Sequence, residues 1–385
     1  MNLLFVYPTA FIPYKGGVER VTYLLSLELR KRGHNIFHLH THKDINETKF
    51  EFPTVYFPSS DYNNPINIPF YHQFIKKHNI DIVINQCGAH SDSILFNNTG
   101  SSSTKSISVI HFNPAMNSDS YWHEISQLRN KSLKEKIKRL ARCICFYKIK
   151  RDYRKRLESH YNWLFNNSDT ICLLSKLFKD ELLKLSPENY VDDKVVSIYN
   201  PIELKSSNHN TKENIILWVG RFDTGQKRPD RCIEIWKKLS KHHPDWQLIM
   251  IGDGQALNHI KKKARGLTNI SFTGYTDPTP YYEKAKLLIM TSNFEGWGMV
   301  LAEAMAYNVI PLAFNSFKSV KELITNNAQI VTPFNLNEYI EKLEFLMTHQ
   351  DYCNRLNQES YDHINKFSIN NIANSWEDLF HKLKR

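Results

Sequence analysis

The sequence predicts an α/β protein made of two Rossmann-like, doubly wound domains that face each other across a cleft. Thirteen short apolar runs alternate with helical patterns, the arrangement that places parallel strands between two helical layers. The alternation breaks once, at the polar stretch Glu203–Asn214, and then restarts. At 385 residues the chain is long for one core, and its 41% hydrophobic content is enough to fill two.

The chain opens on a strand, Asn2–Tyr7. An amphipathic helix follows from Gly17 to Arg32, with Val18, Val21, Leu24, Leu25 and Leu29 on its apolar side and Gly33 as its stop. Further strands read at Ile36–His40, Val55–Phe57, Ile80–Asn85, Ser106–His111, Ile171–Leu174 and Val195–Tyr199. Beyond the linker they read at Ile215–Val219, Gln247–Ile251, Ile270–Phe272, Leu287–Met290, Val309–Phe314 and Gln329–Val331. The expected domains are residues 1–205, with a basic insertion at about 123–163, and residues 206–368. A final helix over 369–385 is expected to pack back on the first domain.

Six cysteines are scattered along the chain with no C-x-x-C pair, so neither a disulfide framework nor a zinc site is suggested. No apolar stretch reaches the ~18–20 residues of a membrane span. The segment Met1 to Pro8 lacks the basic flank and cleavage site of a signal peptide, so a cytoplasmic location is expected. The formal charge of +11 is concentrated in one place: residues 129–158 hold thirteen Lys/Arg against three acids. Interleaved with them are Phe146, Tyr147, Ile149, Tyr153 and Leu157. Such a stretch reads as a membrane-surface element, a nucleic-acid patch or a solvated helix face.

The most informative run is Thr291 to Tyr307, in which seven residues separate Glu295 from Glu303. A buried strand, a Gly-containing loop and a helix from about Met299 put Glu295 in the loop and Glu303 about one turn into the helix. The N–H groups of Gly298 and Met299 then open a helix whose dipole favours a phosphate-bearing ligand. Arg221 and Lys227 follow the first strand of the second domain, where a diphosphate leaving group needs paired, fixed positive charge. Two solvated cations are the plain alternative. Two carboxylates alone also fit a hydrolase, which would leave the Arg/Lys pair without a role. Gly16 and Gly17 end the first strand with the freedom for close approach to a ligand, or for a simple tight turn. His111 closes the strand from Ser106, and Ser175 and Asn200 end later strands. Gly252-Asp-Gly254 and Gly274-Tyr275-Thr276 are strand-end turns, and the first is not the dinucleotide fingerprint G-x-G-x-x-G.

Five motifs stand in order: Gly16-Gly-Val-Glu-Arg20, Val219-Gly-Arg-Phe-Asp-Thr-Gly-Gln-Lys-Arg-Pro229, Ile251-Gly-Asp-Gly254, Phe272-Thr-Gly274 and the spaced glutamates. Together they resemble the retaining glycosyltransferases of family 4, whose signature is E-x7-E. The resemblance covers most of the chain and implies the two-Rossmann GT-B fold, a nucleotide diphosphate sugar as co-substrate, UDP-linked, no other cofactor and no metal. It implies that Arg221 and Lys227 bind the diphosphate, that Glu303 accepts the ribose hydroxyls, and that Glu295 holds the donor sugar. His111 would lie against that sugar and its phosphate. Gly16 and Gly17 approach the donor, Gly252, Gly274 and Tyr275 form a wall around the base, and Gly298 and Met299 contact phosphate. Members usually carry Asn-Gly where this chain has Asn200-Pro201, which puts a contact there in doubt. The acceptor implied is a surface glycan on a lipid carrier. With it the basic stretch becomes an anionic-membrane contact on the inner face of the cell membrane, and no nucleic-acid partner is expected. A nucleotide-sugar epimerase and a non-catalytic nucleic-acid-binding protein are the alternatives.

Overall fold

Strands that are apolar on both faces need helices above and below them, and every strand pair in the computed structural model is parallel. The structure describes residues 1–13, 16–43, 51–90, 93–115, 137, 141, 144–204 and 212–385. They divide into two compact units, one of Met1–Ala115, Arg151–Pro201 and Phe367–Arg385, the other containing Ile202–Lys366.

The first unit is built on a seven-stranded sheet. Its strands are β1 (Asn2–Thr9), β2 (Asn35–His42), β3 (Thr54–Tyr56), β4 (Ile82–Asn85), β5 (Lys105–Ile110), β6 (Thr170–Leu173) and β7 (Val195–Ser197), in the order β3-β2-β1-β4-β5-β6-β7. The helices are α1 (Gly17–Lys31), α2 (Asn67–Lys77), α3 (Ser93–Asn97), α4 (Phe146–Asn167) and α5 (Lys179–Leu185). Leu3, Leu4, Phe5 and Val6 are fully buried along β1, as a central strand covered on both faces must be. Helix α1 buries Val21, Leu25 and Leu29, as its pattern predicts, and also Glu19. Of the basic stretch over 129–158, residues 129–136, 138–140 and 142–143 lie outside the described residues, as do 205–211 of the linker.

The second unit repeats the plan with six strands. In chain order come β8 (Glu213–Val219), α6 (Pro229–Leu239), β9 (Gln247–Ile251), α7 (Leu257–Lys263), β10 (Ile270–Gly274), α8 (Thr279–Lys284) and β11 (Ala285–Met290). These are followed by α9 (Met299–Ala306), β12 (Ile310–Phe314), α10 (Val320–Leu323), β13 (Ile330–Val331), α11 (Leu336–Thr348) and α12 (Gln350–Ile364). The order β10-β9-β8-β11-β12-β13 reverses direction between β8 and β11, the position at which open α/β sheets bind ligands beyond their strand C-termini. Trp218, Trp236, Leu248, Met250, Leu287, Leu312, Phe314 and Tyr339 lie in its core. The last helix, α13 (Ile369–Lys384), returns to the first unit. There the Arg32 guanidinium donates to Glu377 Oε2 at 2.7 Å and Asn374 Oδ1 at 2.6 Å, and Lys384 reaches Asp81 at 2.9 Å.

All thirteen expected strands are present, with shifted ends that have local causes. Glu213 and Asn214, read as linker, begin β8 because Glu213 pairs with Ala285 and Asn214 accepts from Lys286 at 2.6 Å. Gln329, read as strand, lies in a 3-10 turn capped by Asn326, whose Oδ1 accepts from Ala328 N at 3.0 Å. His111 falls just beyond β5. No described helix is long and apolar enough to cross a membrane.

The strand ends of the second unit are locked together by close backbone approach. Gly220 N donates to Ile251 O at 3.0 Å and Phe222 N to Asp253 O at 2.8 Å. At Gly252, φ is +132° and a Cβ would collide with the Gly220 carbonyl oxygen; at Gly254, φ is +152° and a Cβ would lie 2.7 Å from Phe222 O. A Gly252→Ala substitution is therefore expected to destabilise the protein by about 2–4 kcal/mol, through backbone strain plus overpacking. Equilibrium denaturation in urea, with the wild type alongside, measures it.

Candidate active site

In the second unit the sequence-expected residues fall on both sides of the reversal between β8 and β11. Beyond β8, Asp223 Oδ1 accepts from Gly225 N at 2.6 Å and folds the chain into a tight loop, which carries Arg221 at its start and Lys227 at its end. Arg228 takes a positive φ of 52° before Pro229 opens α6, a helix start that suits proline because the first N–H needs no partner. Beyond β11 the chain runs through Thr291–Gly298 to α9, where Gly298 takes φ +90°.

The two loops are bonded to each other. Asn293 N donates to Gln226 O at 2.7 Å and Asn293 Nδ2 to Gly225 O at 2.6 Å. Thr291 Oγ1 donates to Arg228 O at 2.9 Å and accepts from the Trp218 indole at 3.1 Å. At their centre Lys227 Nζ donates to both oxygens of Glu295, at 2.7 and 2.9 Å. Glu295 is 7% exposed and Lys227 20%. Ser292 Oγ also donates to Glu295, at 2.6 Å, and Gln226 Nε2 lies 3.4 Å from its second oxygen. A buried carboxylate is tolerated only when paired and hydrogen-bonded in this way.

Arg221 is different. Its side chain is 65% exposed, with long contacts of 3.4 Å to Asp223 and 3.3 Å to Gln226. Glu303 sits half-buried on α9 and accepts from the Tyr282 hydroxyl at 3.2 Å; Tyr282 stacks on Tyr307 with ring centroids 5.6 Å apart. Gly298 packs tightly, since a Cβ there would lie 3.2 Å from Phe317, and Met299 begins the helix. Gly252 N donates to Gly274 O at 2.9 Å, which aligns the ends of β9 and β10, and Tyr275 beside them is exposed.

Several supporting residues escaped the sequence reading. Ser292 and Gln226 orient Glu295. Arg231 is buried under Phe334, 4.2 Å from its ring centroid, and donates to Thr291 O at 3.2 Å; burial lowers its guanidinium to about 10, which leaves it charged. Neither the short apolar runs nor the helix pattern signals these contacts, because they join loops through side chains.

In the first unit Gly16 caps α1 in extended conformation, and a Cβ on it would come 2.5 Å from the Glu19 carboxylate; Gly17 is the first helical residue. His111 is buried and donates from Nε2 to Gln86 Oε1 at 2.6 Å. Burial, with His90 adding to it, holds this imidazole down to about 3. It is neutral at physiological pH. Ser175 caps a 3-10 turn through Leu177 N, and Asn200 is buried beside Pro201.

Two adjoining family models account for most of the chain. The one described as Glycosyltransferase Family 4 matches residues 15–206, and the one described as Glycosyl transferases group 1 matches residues 200–363. An uncharacterized glycosyltransferase of Haemophilus influenzae is 27% identical over 242 residues, which are 58% of this chain and 68% of that protein. The Campylobacter jejuni enzyme named GalNAc-alpha-(1->4)-GalNAc-alpha-(1->3)-diNAcBac-PP-undecaprenol alpha-1,4-N-acetyl-D-galactosaminyltransferase is 26% identical over 178 residues. That match covers 45% of this chain and spans about half of the relative, 49%. A variant of S. aureus TarM, solved in complex with Fondaparinux, alpha-GlcNAc-glycerol and UDP, superposes with a TM-score of 0.74 at 14% identity, over 98% of this chain and 99% of that one. The two parallel sheets, with these structural counterparts, define the GT-B class of fold. The chain belongs to the glycosyltransferases.

Two predictions follow from this geometry. Lys227→Ala should destabilise the protein by about 2–4 kcal/mol, because Glu295 would keep its burial and lose its cation; urea unfolding with Glu295→Gln and the double variant as a cycle checks it. The second concerns the buried histidines: burial holds His38 well below its ordinary 6.5 and His40 at about 4, as well as His111 at about 3. The unfolded chain binds these protons first, so stability is fully present above pH 6.5 and falls as pH drops below it, by up to ~1.4 kcal/mol per pH unit for each histidine. A flat Tm between pH 7 and 8 with a steep decline toward pH 4 is expected by calorimetry.

Proposed function

We propose that the protein is a retaining, metal-independent glycosyltransferase that moves a sugar from a nucleotide diphosphate donor, UDP-linked, to a glycan on a lipid carrier in bacterial surface-polysaccharide assembly. The observation that carries this reading is the placement of Arg221, Lys227 and Glu295 on the two loops flanking the strand-order reversal, with Glu303 on the helix that follows. Arg221 is exposed and weakly held, so it is available to a diphosphate. Lys227 commits two of its three N–H groups to Glu295 and has a third for a phosphate oxygen. As the bond from the sugar's anomeric carbon to the phosphate oxygen breaks, both electrons stay with the diphosphate, and the two cations stabilise the charge that develops. Glu295 holds the hydroxyls of the donor sugar and Glu303 those of the ribose.

The acceptor hydroxyl attacks the anomeric carbon on the face the diphosphate leaves, and its proton passes to the departing phosphate oxygen. Configuration is retained without a protein nucleophile, and rate comes from positioning and charge stabilisation. His111, kept neutral and with its one N–H on Gln86, accepts a hydrogen bond from a donor hydroxyl at Nδ1 without adding charge. The Campylobacter relative is named for an undecaprenol diphosphate acceptor, and the TarM structure was solved with UDP; these support the choice of acceptor and donor.

Kinetics test the roles. Glu303→Gln should raise donor KM, and Glu295→Gln should lower kcat, each by an amount equal to about 2–4 kcal/mol in kcat/KM. Arg221→Ala should slow transfer by about 100-fold, and EDTA should leave activity unchanged. Both glutamate variants within twofold of wild type, or activity abolished by EDTA and restored by manganese, overturns the assignment.

Membrane contact belongs to the same reading. Helix α4 opens with exposed Tyr147, Lys148, Lys150, Arg151, Arg154 and Lys155, next to exposed Ile144. Each such cation near an anionic leaflet contributes ~1 kcal/mol, weakened by salt. On this reading the enzyme works peripherally on the inner face of the cell membrane. Replacing the five basic residues with Gln should release it from anionic liposomes in cosedimentation while transfer to a short soluble acceptor stays within about twofold of wild type. Equal binding to neutral vesicles sinks the idea.

A further inference from the structure

The second unit also has a cavity at the opposite, amino-terminal ends of its strands. It measures 220 Å³ and is lined by Lys212, Lys286, Trp246, Asn308, Asn354 and Asn357 among others. Sheet pairing explains why two ammonium groups meet here. Glu213 of β8 pairs with Ala285 of β11, so Lys212, just before the one, and Lys286, just after the other, lie beside the same rung. Asn308 leads into β12, the next strand, and the first turns of α12 bring Asn354 and Asn357.

Among the described residues, no Asp or Glu lines this cavity. Lys212 donates to two carbonyls, Tyr282 O at 2.8 Å and Tyr307 O at 2.7 Å, while Lys286 donates to Asn214 Oδ1 at 2.6 Å and sits 5.8 Å from the Trp246 ring centroid. Carbonyl and amide oxygens are weaker counterparts than a carboxylate, and Glu283 acts on Lys212 only from outside the wall. Burial lowers Lys212 to about 8, which records how little compensation its charge receives. A compact anion would supply it. The wall asks for hydroxyls as well. Asn357 Oδ1 is buried with no hydrogen-bond partner and needs a donor, which a phosphate alone at neutral pH scarcely provides. Asn354 Oδ1 accepts from Gln350 at 3.1 Å, leaving its amide hydrogens as donors. The volume is below the about 300–1,000 Å³ of sites for drug-sized ligands, so the occupant is no larger than a monosaccharide derivative.

We propose that this cavity is a binding site for a monosaccharide-sized sugar phosphate, with the phosphate on Lys212 and Lys286 and the sugar hydroxyls on Asn308, Asn354 and Asn357. It is separate from the strand C-terminal ends that carry Arg221 and Glu295, and its occupant is a different molecule from the donor.

Titration calorimetry on the full chain tests this with three probes: glucose 1-phosphate, glucose and inorganic phosphate. Glucose 1-phosphate is expected to bind at least tenfold more tightly than either of the others. Lys286→Gln should weaken it tenfold or more, and so should Asn354→Asp, which adds a negative charge at an exposed position and leaves the core untouched. Arg221→Ala should leave this affinity unchanged. Absence of glucose 1-phosphate binding, or affinity unaltered in both cavity variants, overturns the proposal. Loss of binding in Arg221→Ala overturns it too, because the ligand is then at the other end of the strands. Inorganic phosphate binding as tightly as glucose 1-phosphate removes the sugar from the assignment and overturns it in that form.

Discussion

The ion pair between Lys227 and Glu295 is the constraint around which the second unit's functional end is arranged. Neither charge would be tolerated alone at this depth, where the desolvation of a lone ion amounts to several kcal/mol. Each partner comes from a different loop, one after β8 and one after β11, and the two strands are neighbours only because the sheet reverses its order between them. The contacts around the pair are consequences of bringing it together. Asn293 binds the loop that carries Lys227, Thr291 accepts from Trp218 and donates to Arg228, and Ser292 completes the shell of the carboxylate. A ligand that engages Lys227 therefore meets a cation already fixed in direction, and it must share that cation with Glu295.

A second layer holds the loops from behind. Arg231, sandwiched against Phe334 and Phe314, carries its charge into an aromatic setting and spends a hydrogen bond on the Thr291 carbonyl. The glycines of the β9 turn let the backbone run against Gly220 and Phe222, so the start of the Lys227 loop is fixed by main chain and its end by side chains. The first unit uses a different means at its own strand ends. There burial keeps histidines neutral, and a single amide, Gln86, sets the hydrogen bonding of His111.

Much of this was legible in the sequence because periodicity and spacing report on backbone and burial. The strands of both sheets read from apolar runs, and the loop-to-helix position of Glu295 and Glu303 read from a single Gly-containing stretch. Strand ends were less legible. Glu213 and Asn214 are polar and look like linker, yet pairing with β11 draws them into β8; Gln329 looks like strand, yet Asn326 turns it into a 3-10 segment. The direct pairing of Lys227 with Glu295 was not legible either, since residues 68 apart in sequence meet only through the fold. Sequence reading gave them neighbouring roles on one ligand; the structure adds that they neutralise one another. Glu19, an acid on the buried side of α1, and the cavity beneath β8 and β11 likewise carry no periodic signal.

Helix α13 packs on the unit that holds the amino-terminal strands, where Arg32, His34 and Asp81 meet Glu377 and Lys384. During synthesis the strands of the amino-terminal unit emerge first and the second unit follows, but the surface of α1 that α13 covers stays open until residues 369–384 have left the ribosome. Domains made in order generally fold in order. Here the unit whose strands are translated first is completed only after the second unit has been made, so emergence of α13, rather than of the first sheet, marks the point at which the amino-terminal unit reaches its mature form.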